Sequence, residues 1–365
     1  MIPIARPLIG EEEIEAVTRV LRSGWLMQGP EVEAFEHELA AYVGARHACA
    51  VSSGTAALHL ALLAAGVGPG DEVVTVSHSF IATANAVRLC GAVPVFVDID
   101  PQTFNLDPQW LDAAIGPRTR AVLVAHQLGM PCDLDAVAAI CAARGVVLVE
   151  DAACALGSEH LSRGAWSRIG GRGTLACFSF HPRKILTTGD GGAVTTNDAA
   201  LDARVRRLRQ HGMDPRGTFV ESAPNYRMTD LAAAVGRVQL GRLPSLLEER
   251  RAQVAHYRAL LAGTRAVLPI EPTYGRSNWQ SFCVRMPGSD PAATVARAAE
   301  QGISLRRGIS NAHEQPAYAD RASHRIAGSL SESERAWGET VCLPVFPGLS
   351  VDDQARIASA TERSL

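Results

Sequence analysis

The chain has no excess of either charge: 35 basic residues stand against 38 acidic ones, a net of −3. No global field therefore favours nucleic acid or an anionic membrane. No apolar run reaches membrane-spanning length, and the opening Met1-Ile-Pro-Ile-Ala-Arg-Pro has no long apolar segment. A membrane protein is not expected. The eight cysteines, Cys49, Cys90, Cys132, Cys141, Cys154, Cys177, Cys283 and Cys342, include no Cys-x-x-Cys pair. Scattered through apolar stretches, they read as reduced core residues of a cytoplasmic protein. Internal repeats and low-complexity tracts are missing as well, which sets aside solenoids and disordered tails.

What is present is apolar content of 47% over 365 residues, enough for a large core and suited to a big domain plus a smaller one. Strand-like runs at 72–76, 94–100, 122–125 and 145–149 alternate with helical patterns, which indicates parallel βαβ units and an α/β fold. Polar residues that follow such strands should meet along one edge of the sheet. The N-terminal region reads as an arm and two helices, the first with Ile14, Val17, Val20 and Leu21 as its apolar face and the second opening at Pro30. From Pro244 the composition turns to a long charged helix, strands around 280–284 and a last helix over 352–361. The expected division is therefore residues 1–244 and 245–365.

Several short stretches carry candidate chemistry. Lys184 follows the apolar run Leu175-Ala176-Cys177-Phe178 and precedes a turn closed by Gly189, Gly191 and Gly192. A part-buried amine there loses its proton more easily and can attack a carbonyl, whereas a surface lysine at a strand end is the plain alternative. Ser52-Ser53-Gly54-Thr55 lies between a short strand and an apolar helix, an arrangement that offers free N–H groups to a phosphate but also describes an ordinary N-cap. Phe80 sits at a strand's C-terminal end, where it either stacks on a ligand ring or packs in the core. Asp151 follows the strand at 145–149, as a helix cap or as a carboxylate facing a ligand. Asp98 and Asp100 have no further ligands clustered near them, so no metal site is expected. The basic run at 201–209 is short and lacks interleaved aromatics, so it reads as a solvated or ion-paired face.

Taken together, the stretches 52–57, 80–100, 150–157, 178–192 and 225–240 resemble, in order, the motifs of the DegT/DnrJ/EryC1/StrS family of sugar aminotransferases. That resemblance implies a pyridoxal 5'-phosphate enzyme of fold type I, with a large domain built on a mostly parallel sheet flanked by helices and a smaller C-terminal α/β domain. It implies Lys184 and Asp151 as catalytic residues, Asp151 facing the pyridine nitrogen. Ser53, Gly54, Thr55 and Ser179 would hold the cofactor phosphate, Phe80 would stack on its ring, and Asn225 would reach the phosphate of a neighbouring subunit, giving a homodimer with shared sites. Arg306, Arg307, His313 and Tyr318 lie in a segment that in the family approaches the substrate, and adjacent arginines suit a pyrophosphate, with surface charge as the alternative. Cys154 departs from the family, which commonly has glutamine here contacting the cofactor's phenolic oxygen. Asp190 stands where glutamate is frequent. Because Lys184 is intact, amino transfer from glutamate or glutamine to a keto sugar, expected in nucleotide-linked form, fits better than the related dehydration. Alternatives are a keto-cyclitol or carbocyclic substrate, and a cofactor-binding regulatory protein without activity.

Overall fold

The computed structural model describes residues 1–363. Its strands are β1 (His47–Val51), β2 (Glu72–Val76), β3 (Val93–Val97), β4 (Thr119–Ala125), β5 (Val147–Asp151), β6 (Glu159–Ser162) and β7 (Ala165–Arg168), then β8 (Leu175–Ser179), β9 (Gly192–Thr196), β10 (Gly275–Arg276), β11 (Phe282–Arg285), β12 (Arg306–Arg307), β13 (Arg325–Ile326) and β14 (Thr340–Leu343). Eight of them form the central sheet, in the order β1-β9-β8-β5-β4-β2-β3-β13. Only β9 runs against the others, since its pairings with β1 and β8 are antiparallel and the remaining pairings are parallel. β2 is buried at every position, because helices cover both faces of a parallel sheet.

The chain ends of β2, β4, β5 and β8 all open on one edge, as parallel strands require. Helix α1 (Glu11–Ser23) and helix α2 (Pro30–Val43) pack against the helix Asp230–Leu260, and α3 (Gly54–Ala64) lies against the sheet and α4 (Ala82–Leu89). α2 opens with Pro30 in its first turn and buries Val32, Phe35 and Leu39. In α1 the expected face is only partly used: Val20 is buried with Ala16, while Ile14 and Leu21 are 52% and 56% exposed. The helical period put them on one stripe, but the neighbouring helix covers only the Ala16–Val20 side. The basic helix Ala199–Arg209 is ion-paired, with Arg206 and Arg209 converging on Glu36 and Arg207 on Glu221.

The C-terminal part builds a second sheet, β11-β14-β12, over a core of Tyr257, Phe282, Val284, Val341 and Ile357. The helix Asp230–Leu260 runs unbroken through Pro244, so residue 245 falls inside it. Its first half packs on α1 and α2, and it also meets the helix Val351–Glu362. β13, from the C-terminal part, closes the edge of the central sheet beside β3.

Candidate active site

A cavity of about 260 Å³ lies where the sheet edge meets the β11-β14-β12 sheet. Its lining includes Ser53, Gly54, Thr55, Phe80, Asp151, Cys154, Ser179, Lys184 and Arg306. Residues from Ser53 to Lys184 converge because parallel strands deliver their C-terminal ends to one side, and Arg306 comes from the antiparallel C-terminal sheet.

Lys184 is the sole lysine of the chain. It sits in the loop after β8, its N–H donating to the His181 carbonyl at 2.8 Å, and its Nζ donates to Cys154 Sγ at 3.0 Å. Gln280 fixes this loop from the other side. Its Oε1 accepts from Ile185 N at 2.8 Å and its Nε2 donates to Arg183 O at 2.6 Å, so one side chain grips both neighbours of Lys184. Gln280 is itself held at a kink. Trp279 has φ 52°, a left-handed conformation costly for a tryptophan. Asn278 Oδ1 accepts from Gln280 N, Ser277 Oγ accepts from Trp279 N, and the buried Arg250 guanidinium donates to the Trp279 and Gln280 carbonyls.

Asp151 ends β5 and is 8% exposed. Thr83 Oγ1 donates to its Oδ2 at 2.6 Å and Ala153 N to its Oδ1 at 3.1 Å. The single Thr83 proton is thereby used, so Ser79 Oγ, 2.8 Å away, must donate to Thr83. This hydroxyl relay orients the carboxylate. Nothing in the sequence signalled it, because Ser79 and Thr83 reach Asp151 only through the β2–β4–β5 neighbourhood.

Ser53 caps α3, its Oγ accepting from Ala56 N at 3.1 Å. The N–H groups of Gly54 and Thr55, first in the helix, have no backbone partner there and open on the cavity. Glycine is needed at 54, since a methyl group would stand 2.7 Å from Ser179 Cβ. Phe80 is 68% exposed, a ring left uncovered at the rim. His126 lines the cavity and accepts from Cys132 N at Nδ1, so its proton is on Nε2 and donates to the buried Glu150 at 3.0 Å. Burial, with Arg183 and Lys184 close by, holds His181 below its ordinary value.

The C-terminal segment behaves differently. Of its four candidates only Arg306 lines the cavity. Successive residues of β12 point to opposite faces, so Arg307 turns away, stacks on the Trp337 ring at 3.6 Å and donates to the Trp337 carbonyl. Tyr318 is 2% exposed, packs on Phe96 and hydrogen-bonds to Asn85 Oδ1 at 3.0 Å. His313 bonds Ser77 Oγ at 2.7 Å and pairs with Glu334. Tyr318 and His313 brace the segment against the central-sheet side and Arg307 braces it against Trp337; none of the three is part of the cavity lining. Asn225 is exposed, accepts from Arg227 N, and lies outside the cavity of its own chain.

A lysine, an oriented carboxylate and a free helix N-terminus at the carboxyl edge of a mostly parallel sheet define an α/β enzyme for a carbonyl cofactor bearing phosphate. The chain belongs to the DegT/DnrJ/EryC1/StrS aminotransferase family, which it matches over residues 7–362. It is similar to DesV of S. venezuelae, solved with a ketimine intermediate (38% identity, TM-score 0.91, 97% of this chain and 94% of that one). It is also similar to the aminotransferase TlmJ of Streptoalloteichus hindustanus (37%, 0.92, 100% and 98%). A third similar structure is DesI in the presence of its TDP-sugar product (33%, 0.90, 98% and 91%). The enzyme is a transaminase with the type I fold, and its cofactor is pyridoxal 5'-phosphate.

Proposed function

We propose that the enzyme transfers an amino group from glutamate or glutamine to a nucleotide-linked keto sugar, with Lys184 and Asp151 as its catalytic residues. The observation that carries this reading is the cavity that joins the sole lysine, the relayed carboxylate and the free N–H groups of Gly54 and Thr55. The likeness to DesI, solved with a TDP-sugar product, supports the nucleotide-linked acceptor. Bound pyridoxal phosphate supplies an electron sink that loosens the bonds at the amino-bearing carbon. The protein's residues do the rest. Ser53, Gly54, Thr55 and Ser179 hold a phosphate at the positive end of α3, and Phe80 offers a ring face. Asp151, kept in place by Thr83, keeps a ring nitrogen protonated. Lys184 Nζ carries a proton to and from the reacting carbon, and Gln280 keeps its loop from drifting. Arg306, with the exposed Arg183, gives the mouth of the cavity positive charge for a pyrophosphate.

The test presents the amine form of the enzyme with a nucleotide-linked keto sugar and with the same sugar unlinked, following the return of the aldehyde-form spectrum. The linked sugar should react faster by at least about tenfold, the worth of one or two charge-assisted bonds. Equal rates would remove the nucleotide from the proposal.

We also propose a homodimer in which Asn225 reaches the partner's cofactor phosphate. Supporting this are apolar residues left exposed near the N-terminus, Ile14, Leu21, Trp25 and Met27, and beside Asn225, Phe219 and Val220. Mixing inactive Lys184→Ala with inactive Asn225→Asp should then restore up to about a quarter of full activity, since a hybrid dimer has one intact site. No recovery despite subunit exchange would place both residues in one chain's site. Among the described residues no helix is long and apolar enough to cross a membrane, and all eight cysteines are free, which supports work in the reducing cytoplasm.

A further inference from the structure

The β11-β14-β12 sheet carries three residues in one row, Cys283 on β11, Cys342 on the central β14 and Arg306 on β12. The register pairs Cys283 with Cys342, and Cys342 in turn with Arg306. How close the sulfurs stand depends on the kind of antiparallel pair. One step past the Arg285–Thr340 pair, Met286 N donates to Glu339 O at 2.7 Å, so that pair is hydrogen-bonded. The two kinds alternate along a ladder, which makes 284/341 hydrogen-bonded and 283/342 not. The far side of β11 agrees, because Arg285 exchanges both its backbone bonds with Val267 and so turns them away from β14. Non-hydrogen-bonded pairs are the close ones, with Cα atoms about 4.5 Å apart, inside the range of about 4.4–6.8 Å that a disulfide spans.

Both thiols are free, and both are at most 3% exposed. Cys342 nonetheless lines the cavity while Cys283 does not, so a small reagent entering there meets Cys342 before Cys283. The neighbouring Cys283 thiol and the charge of Arg306 hold Cys342 below the ordinary thiol value despite burial. Cys283 is pushed well above that value by Cys342 beside it and by burial. The pair thus has a nucleophile facing the cavity and a resolving thiol behind it.

We propose that Cys283 and Cys342 form a redox-active dithiol in the cavity wall whose oxidant is a hydroperoxide. The Cys342 thiolate attacks the terminal peroxide oxygen, forming an S–O bond as the O–O bond breaks, and the departing alkoxide takes a proton to become an alcohol. Cys283 then attacks the sulfenic sulfur, and hydroxide leaves with the proton that Cys283 gives up, as water. Two thiols and one hydroperoxide become one disulfide, one alcohol and one water. Each sulfur loses one electron and the peroxide gains two. Oxidation removes the thiolate charge of Cys342 from beside Arg306, its register partner, freeing the guanidinium to change its position at the cavity mouth. This last consequence rests on the acceptor reading given above.

The test exposes the full-length holoenzyme to hydrogen peroxide, then counts thiols and maps peptides. Of the eight thiols two should be lost, in a Cys283–Cys342 link that dithiothreitol reverses. In Cys283→Ala the link cannot form and Cys342 should be trapped as sulfenic acid by dimedone. Retention of all eight thiols, or a link between any other pair, would overturn the dithiol. Absence of dimedone adduct on Cys342 in the variant would overturn its role as the attacking thiol. In a separate arm, oxidation should raise KM for the acceptor about tenfold, as loss of one well-placed charged contact does, with kcat little changed. A linked protein with unchanged KM would overturn the coupling to Arg306, and failure of every keto sugar to react would count against the acceptor reading while leaving the thiol arm intact.

Discussion

The two walls of the cavity are built on different principles. The sheet-edge wall takes its residues from the ends of parallel strands and locks each with short hydrogen bonds, Asp151 through Thr83 and the Lys184 loop through Gln280. The four candidates of the C-terminal wall come from a two-residue strand and short helical turns, and three of them brace the segment instead of facing the cavity. A strand end in a parallel sheet fixes both position and direction. A short irregular segment fixes neither until it packs.

Breaking the first wall should have the largest effect. Lys184→Ala is expected to abolish the yellow colour of the purified enzyme and to lower turnover by at least about a thousandfold, because no other lysine can replace it. Amino-donor turnover and a visible spectrum check both. Next in size, Asp151→Asn should keep the cofactor but lose about a hundredfold or more in the half-reaction with the donor, since a neutral amide cannot hold a ring proton. Near-normal rates with Asp151→Asn would remove the carboxylate from the catalytic set.

The second wall is sharpened by comparing neighbours. Arg306→Ala should raise KM for the acceptor about 10- to 100-fold with little change in kcat. Arg307→Ala should leave KM alone and cost about 1 kcal/mol of stability through the lost stacking on Trp337. Similar KM effects from both would mean that strand alternation does not separate their roles. Gln280→Ala joins the two walls: it removes both grips on the Lys184 loop and leaves Ile185 N unpaired, so urea unfolding should show a loss of about 1–3 kcal/mol. Turnover should fall about tenfold with cofactor retained, as for a slightly misplaced group.

One more effect depends on pH. His78 lies under the C-terminal wall, bonded to Asn311, and burial lowers its value from 6.5 to about 4. Below about pH 6.5 the unfolded chain takes up a proton that the folded chain refuses, so this contribution is complete above that pH and is lost as pH falls toward 4. Stability should drop by about 2 kcal/mol from this group between pH 7 and pH 5, and the pH slope of urea midpoints should flatten in His78→Gln.

Much of the first wall was legible in the sequence. Lys184, Asp151, Phe80 and the Ser53–Thr55 turn each followed a strand pattern, and strand patterns are local. Their supports were not legible. Thr83 stands 68 positions from Asp151 and Gln280 lies 95 positions from Ile185, and neither carries a local signal of the contact. At 245 the change of composition falls inside one continuous helix, because Pro244 does not interrupt it.

The sequence by itself determined the α/β class, the order of the strands along the chain and the residues placed at their ends, because alternation, helical spacing and turn residues act over a few positions. Only the tertiary structure decided which of two adjacent arginines faces the cavity, that Tyr318 is core, and that Cys283 meets Cys342. Those outcomes depend on register and on which surfaces are already covered, and a one-residue step in register reverses them.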